Sequence, residues 1–355
     1  MKFYVAILSS LMLGACGGGG SDGGGSGGGG GPGNGYAVNA EPCPVPPSLA
    51  AGGSASSSSG VALNALTCAP MAGVKVTANP LGEVTTGVDG SFKFTGALSA
   101  VQYAITLTSP NTVPRSTFST LGGAPRVFSL IPNNFDLRAF DEMTRPSAFG
   151  LLRWTQAPTL IVQKQVIDMS TGMTDASIPV DLTNGSIADS SYLATQFTLP
   201  DDFVAGAVER LRAVLPQLTS YSSFKDVRIE TATPGSRIGG FERMGVIVIA
   251  WATNIPAQGA AGMGVSSGYY RNYTSKIPSV RAGAVFVNFN GPYYQVPNIL
   301  VHEFGHALGY QHTDLTSSFM NRSNSPLPTD FDLQVAKIAY DRSPGSKSPD
   351  IDPSP

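Results

Sequence analysis

Short runs in which apolar and polar residues alternate dominate residues 70–108. "GVKVTAN", "SFKFTG" and "YAITLTS" each repeat every second position, and turn signals such as Asp89-Gly90 separate them. Alternation with period two predicts half-buried strands joined by hairpins, hence a small β-sandwich. The texture changes near Arg126. "FSLIPNNFDLRAFDEMTR" reads as a connector that packs on the next domain, and "LLRWTQAPTLIVQKQVID" carries strand-like apolar runs around Trp154. Residues 200–215, "PDDFVAGAVERLRAVL", repeat at helical spacing. Phe203, Val204, Ala207, Val208, Leu211, Val214 and Leu215 share one face, and Asp201 is placed to cap the start. "GVIVIAWA" (245–252) and "GAVFVNFN" (283–290) are continuous apolar runs, each predicting a buried strand. The glycine-rich "AQGAAGMGVSSGYY" (257–270) between them reads as a loop, since it offers little with which to build a core. The order strand, helix, strand, strand, helix predicts an α/β domain with a mixed sheet.

"VPNILVHEFGHALGY" (296–310) reads as a further helix. Pro297 suits its first turn. Ile299, Leu300, Phe304 and Leu308 supply a buried face, and Gly309 ends the helix by adopting positive φ at little cost. The chain has 355 residues and three histidines, His302, His306 and His312. All three fall within this helix and the turn after it. At 3.6 residues per turn, His302 and His306 lie on one side, one turn apart, so two ring nitrogens reach one ion. After the Gly309 turn the chain can return His312 to the same ion. Three protein nitrogens on zinc leave a fourth position open, which is the catalytic arrangement. Glu303, one step round from His302, is placed to act on a water held there rather than as a third ligand from the helix. A bare pair of histidines four apart also arises in helices with no metal; here H-E-x-x-H-x-x-G-x-x-H holds at all five fixed positions.

Composition narrows the classes. With 42% apolar residues the chain can build a sizeable core, and its length suits two ordinary domains. The near balance of 22 basic and 24 acidic residues speaks against nucleic acid as a partner. Glycine (42) and proline (27) are abundant and unevenly spread. Residues 17–35, "GGGGSDGGGSGGGGGPGNG", predict a flexible tether. Its random-coil span is about 25 Å. The opening "MKFYVAILSSLMLGA" has a basic start and an apolar stretch too short to span a bilayer, which fits an export signal. In an exported, oxidising setting Cys43 and Cys68 are expected to form a disulfide. The alternative is that Cys43, in "EPCPVPP", is a latency cysteine. The Pro/Ser-rich "SPGSKSPDIDPSP" (343–355) reads as an extended, solvated tail.

Three resemblances sharpen this reading. Leu13-Gly14-Ala15-Cys16 resembles a bacterial lipobox, which implies lipidation of Cys16 and a membrane anchor. Gly17 stands where an aspartate would imply inner-membrane retention, so the resemblance implies an outer-membrane or surface position. Ala72 to Phe94 and Tyr103 to Thr108 resemble the carboxypeptidase regulatory-like domain, a transthyretin-like β-sandwich. His302, Glu303, His306, Gly309 and His312 resemble the metzincin zinc-protease signature, with Met320 in "SSFMN" as the methionine turn beneath the metal. Weaker matrixin-like features are "RWTQAPTLIV" as first strand, "GVIVIAWA" as third, "GAVFVNFN" as the substrate-binding edge strand and "DFDLQVAKIAY" as the C-terminal helix, with Thr329 and Asp332 as its capping pair. Arg322 stands where some related families have a tyrosine. No histidine remains for the second, structural zinc of matrixins, and no acidic loop declares the calcium site that the resemblance would allow.

The expected protein is multidomain: a signal (1–15), a tether (16–35), an all-β sandwich (36–125), an α/β metzincin-like domain with a mixed sheet, active-site helix and methionine turn (126–342), and the tail (343–355). The resemblance implies a lipid-anchored, monomeric zinc endopeptidase acting on protein or peptide substrates. Two alternatives stay open. One is a surface binding lipoprotein that retains the zinc fold without hydrolysis; the other is a zinc amidohydrolase acting on envelope peptides.

Overall fold

The computed structural model describes residues 14–17, 40–44, 58–97, 100–122, 124–145, 150–175, 189–256, 260–270, 278–290, 295–323 and 325–354. The signal stretch 1–13 and the tether 18–35 lie outside them, and of residues 14–17, Cys16 included, only the backbone is described. No described helix is long and apolar enough to cross a membrane.

The described elements are mostly strands, with four helices among them. A short strand β1 (Gly14–Gly17) comes first. Seven strands come next: β2 (Ser58–Asn64), β3 (Lys75–Asn79), β4 (Gly82–Thr85), β5 (Ser91–Phe94), β6 (Gln102–Thr108), β7 (Arg115–Thr120) and β8 (Arg126–Leu130). They form a three-stranded sheet, β5-β2-β8, and a four-stranded sheet, β4-β3-β6-β7. Both sheets turn their alternate residues inward. Val76 and Ala78, Tyr103, Ile105 and Leu107, and Phe92, Phe94 and Phe128 share one buried cluster. This is the two-layer packing that the alternation predicts. At the Asp89-Gly90 turn, the Asp89 carboxylate accepts from the Ser91 amide and hydroxyl, and Gly90 takes φ +74°.

The segment read as a connector contains helix α1 (Leu137–Thr144). Asp136 caps it by accepting from the Ala139 amide, and Phe140 and Met143 are buried. A helix of eight residues is too short for a clear period to stand out in the sequence. Next come β9 (Thr159–Gln163), β10 (Gln165–Asp175), β11 (Asp189–Thr198) and helix α2 (Asp201–Leu218). All of the forecast α2 face is buried except Phe203, which is partly buried. Asp201 does not cap this helix. Pro200 holds the cap position, and Asp201 instead pairs with Lys164 from the first turn.

Strands β12 (Asp226–Glu230), β13 (Arg237–Ile238), β14 (Val246–Thr253), β15 (Ala260–Tyr270) and β16 (Pro278–Asn288) complete a nine-stranded mixed sheet. Its centre runs β12-β9-β14-β16 in parallel, and β15 joins β16 antiparallel. Strand β14 shows why a continuous apolar run belongs here. Ile247, Ile249 and Trp251 face one core, and Val246, Val248, Ala250 and Ala252 face the other. Helices α3 (Pro297–Leu308) and α4 (Asp330–Asp341) pack with α2 on the first of these faces.

Two expectations about this sheet are corrected. Residues 260–270 are a strand, not a loop. Residues 283–288 are not at the edge, because β16 lies between β14 and β15. The outer side of β15 carries β1, paired antiparallel with Gly14 opposite Gly264.

The C-terminal segment is anchored by buried residues, Ser346, Asp350 and Asp352, rather than wholly solvated. Asp350 is buried and accepts a two-pronged bond from Arg342, at 2.7 Å from Nε and 2.8 Å from Nη2. Asp352 faces Arg115 of β7, and Arg145 reaches the Ser346 hydroxyl. The Ser116 amide donates to the Asp350 carbonyl, so the tail adds a backbone bridge to the sandwich. A polar segment can be buried in this way because every charge meets an opposite one.

Burial alone would raise the Asp350 carboxyl, but Arg342 and then Arg115 hold it below the usual range. A depressed carboxyl stabilises the fold above its unfolded value of about 3.9, and that contribution is lost as pH falls through the lower folded value. Asp350→Asn is therefore expected to cost about 3 kcal/mol at neutral pH. In denaturant titrations the gap to the parent should narrow below about pH 4; a gap that stays constant with pH would contradict this pairing.

Candidate metal centre

Helix α3 starts with Pro297 at its first position and ends at Gly309, which takes φ +107°. Its last carbonyls are closed by the Gly309 and Tyr310 amides, and the Tyr310 hydroxyl donates to the Leu218 carbonyl at the end of α2. His302, Glu303 and His306 all point to the buried side of this helix. The chain turns at Gly309 and brings half-buried His312 back to the same place.

The three imidazoles converge. His302 Nε2 and His306 Nε2 each lie 3.2 Å from His312 Nε2. Nitrogens bound about 2.05 Å from one tetrahedral ion would stand about 3.3 Å apart. The tautomers agree with this. His302 Nδ1 is 2.8 Å from the Phe319 carbonyl, and His306 Nδ1 is 2.8 Å from the Tyr310 carbonyl. A carbonyl only accepts, so each Nδ1 carries the proton and each Nε2 turns a lone pair to the shared point. Burial lowers the pKa of His302 and sets that of His306 well below its ordinary value. Burial, then the nearby His302 and Arg322 charges, bring His312 to about 4. At neutral pH all three rings are uncharged, as metal binding needs. Among the described residues these histidines are the one cluster of His, Cys, Asp or Glu side chains placed to hold an ion.

Glu303 is fully buried, and neither carboxylate oxygen has a hydrogen-bond partner among the described residues. Burial moves its carboxyl well above the usual range, and the neighbouring Gly264 amide, outside hydrogen-bonding geometry, offsets this only weakly. Met320 lies beneath the helix, where a β-carbon on Gly305 would come 2.6 Å from its sulfur. The turn that carries Met320 is tied to α4. Asp332 accepts from the Ser318 hydroxyl and the Phe319 amide, and also forms the capping box with Thr329.

The glycine-rich strand proves to be the other wall of this site. A β-carbon on Gly262 would lie 2.6 Å from Glu303 Cγ, and one on Gly264 would lie 2.2 Å from the Glu303 carbonyl. Gly283 of β16 meets Ala307 in the same way. These positions lack side chains because the helix occupies the space, with its backbone at Gly264 and Gly283 and with the Glu303 side chain at Gly262. Sequence reasoning missed them, since a strand that packs through glycine leaves no apolar pattern. The available signal was the spacing of Gly262 and Gly264, two apart and so on one face of a strand.

Cys43 and Cys68 are joined as a disulfide, which leaves no free thiol at Cys43 for the latency reading. Cys16 cannot be placed, because its side chain lies outside the described residues. Compared with known proteins, the chain matches no family model and no curated protein.

A substitution at the strand–helix contact tests this geometry. Gly264→Ala must displace α3 and is expected to cost about 1–3 kcal/mol or more and to weaken metal binding. Gly206→Ala, on α2 with open space around it, should instead gain about 0.5–1 kcal/mol. Equal melting temperatures for the two variants would contradict the close approach.

Proposed function

We propose that this protein is a zinc-dependent endopeptidase tied to the bacterial cell envelope by a lipid on Cys16. The observation that carries the reading is a buried, unpartnered carboxyl, Glu303, beside three imidazoles whose lone pairs converge. A carboxyl with no structural bond, placed one residue from a ligand, fits a proton carrier better than a packing residue.

His302, His306 and His312 would hold the zinc. When bound there, the ion supplies an activated water with a pKa near 7 and polarises the scissile carbonyl. Glu303 takes the proton from the attacking water and passes it to the leaving amine. Burial raises its pKa above the usual carboxyl range, which strengthens it as a proton acceptor. The outer side of β15 is the natural seat for an extended substrate, bonded through its backbone. In the unprocessed chain that side pairs with the backbone of Gly14–Gly17, and cleavage before Cys16 would remove Gly14 and Ala15 from it. Glycines at 262 and 264 let the catalytic helix lie directly against β15. The resemblance of Met320 and the extended histidine pattern to metzincins supports the same reading. The sandwich would serve as an accessory module, and the lipobox and tether would keep the enzyme membrane-bound and mobile.

The test is Glu303→Ala in the whole chain. Zinc content should stay at the parent level, because Glu303 is not a ligand. Cleavage of an unfolded general protein substrate should fall by about 10²- to 10⁴-fold. Zinc in both proteins with equal cleavage would overturn the role of Glu303. Zinc in both with cleavage in neither would remove the endopeptidase reading in favour of a binding lipoprotein.

A further inference from the structure

Two of the candidate ligands ride on α3, where the helix sets their positions. His312 does not; it sits in the loop beyond Gly309, and a loop ligand needs fastening from elsewhere. The fastening comes from α1. On one side of His312, the Gln311 amide donates to the Met143 carbonyl at 2.8 Å. On the other, the Thr313 hydroxyl donates to Glu142 Oε2 at 2.9 Å. Thr313 is itself buried, and its amide donates to the Met320 carbonyl. The residues flanking His312 are thus held between the methionine turn and the last turn of α1.

We propose that Glu142 is a positioning residue for the metal centre, holding His312 in place through the Thr313 hydroxyl. The proposal rests on the reading that the three histidines bind a metal. Its geometry has no other evident purpose. Among the described residues the further side-chain partner of Glu142 is Arg138, whose side chain is 80% exposed, and an ion pair so open to water contributes little. The Thr313 hydroxyl is the main influence keeping the Glu142 carboxyl below its ordinary range, so the anion that accepts this bond is present at neutral pH. Helix α1 can bear the role because it is rigidly mounted. Asp136 caps its start, Phe140 and Met143 are buried, and Arg145 at its end reaches Asp141 and Ser346. This helix leads directly from β8, so the sandwich side of the molecule contributes to holding the third ligand.

The experiment uses the whole chain, with zinc affinity read by competition with a chelator and site geometry read from the visible absorption of the cobalt-substituted protein. Glu142→Ala and Thr313→Val should each weaken zinc binding by about 10- to 100-fold and change the cobalt spectrum. Thr313→Ser, which restores the hydroxyl, should return both to the parent values. The Glu142→Ala/Thr313→Val double variant should be no weaker than the weaker single one, because both remove the same bond. Arg138→Ala should behave as the parent. Parent-like zinc affinity and cobalt spectrum in Glu142→Ala and Thr313→Val, even with lowered melting temperatures, would show a structural role only and overturn the proposal. If Glu142→Ala fails to fold, the Thr313→Val and Thr313→Ser pair decides alone. A parent protein that binds neither zinc nor cobalt would overturn the metal reading beneath, and the proposal with it.

Discussion

Helix α3 lies against β15 and β16 at a separation that a β-carbon would prevent, and the candidate centre is organised around that contact. Gly262, Gly264 and Gly283 let the helix backbone settle onto the sheet. Glu303 is then enclosed between helix and strand, away from water and without a hydrogen-bond partner among the described residues. The same enclosure removes charge from the imidazoles, since desolvation disfavours a protonated ring. Close packing and ligand chemistry therefore have one origin. A looser helix would admit water, lower the Glu303 pKa and spread the three nitrogens.

Around this contact the protein places several supports of different kinds. The Phe319 and Tyr310 carbonyls orient two rings, and Met320 fills the space beneath Gly305. Asp332 joins the turn bearing Met320 to the start of α4. At the far end of α4, Arg342 enters a buried polar group, paired with the Asp350 carboxylate and donating to the Ser129 hydroxyl. Arg115 and Asp352 extend that group into the sandwich. The route from sandwich to metal centre is therefore made of paired polar groups as well as apolar packing. Such groups specify geometry, because each bond has a narrow angular range and a missing partner is costly in the interior.

The sequence was informative where a residue's role depends on its near neighbours. The α3 boundaries, the shared side of His302 and His306, the Gly309 turn, the buried face of α2 and the Thr329–Asp332 cap all come from spacing within a few residues. The strands of the sandwich and the apolar runs at 246–253 and 283–288 were legible for the same reason. The short α1 and the strand at 260–270 were not. One is too brief to declare a period, and the other packs through atoms that glycine lacks.

What the sequence determined by itself was the identity of the candidate ligands and the helix that carries two of them, because helical geometry converts a four-residue spacing into a common direction. Only the tertiary structure decided that β15 is the wall of the site, that Ser346, Asp350 and Asp352 near the C-terminus are buried, and that α1 grips the loop bearing His312. Each of these depends on groups brought together across long stretches of chain, such as Glu142 and Thr313 or Arg115 and Asp352. Local periodicity records which way a side chain faces, but it holds no record of what stands opposite.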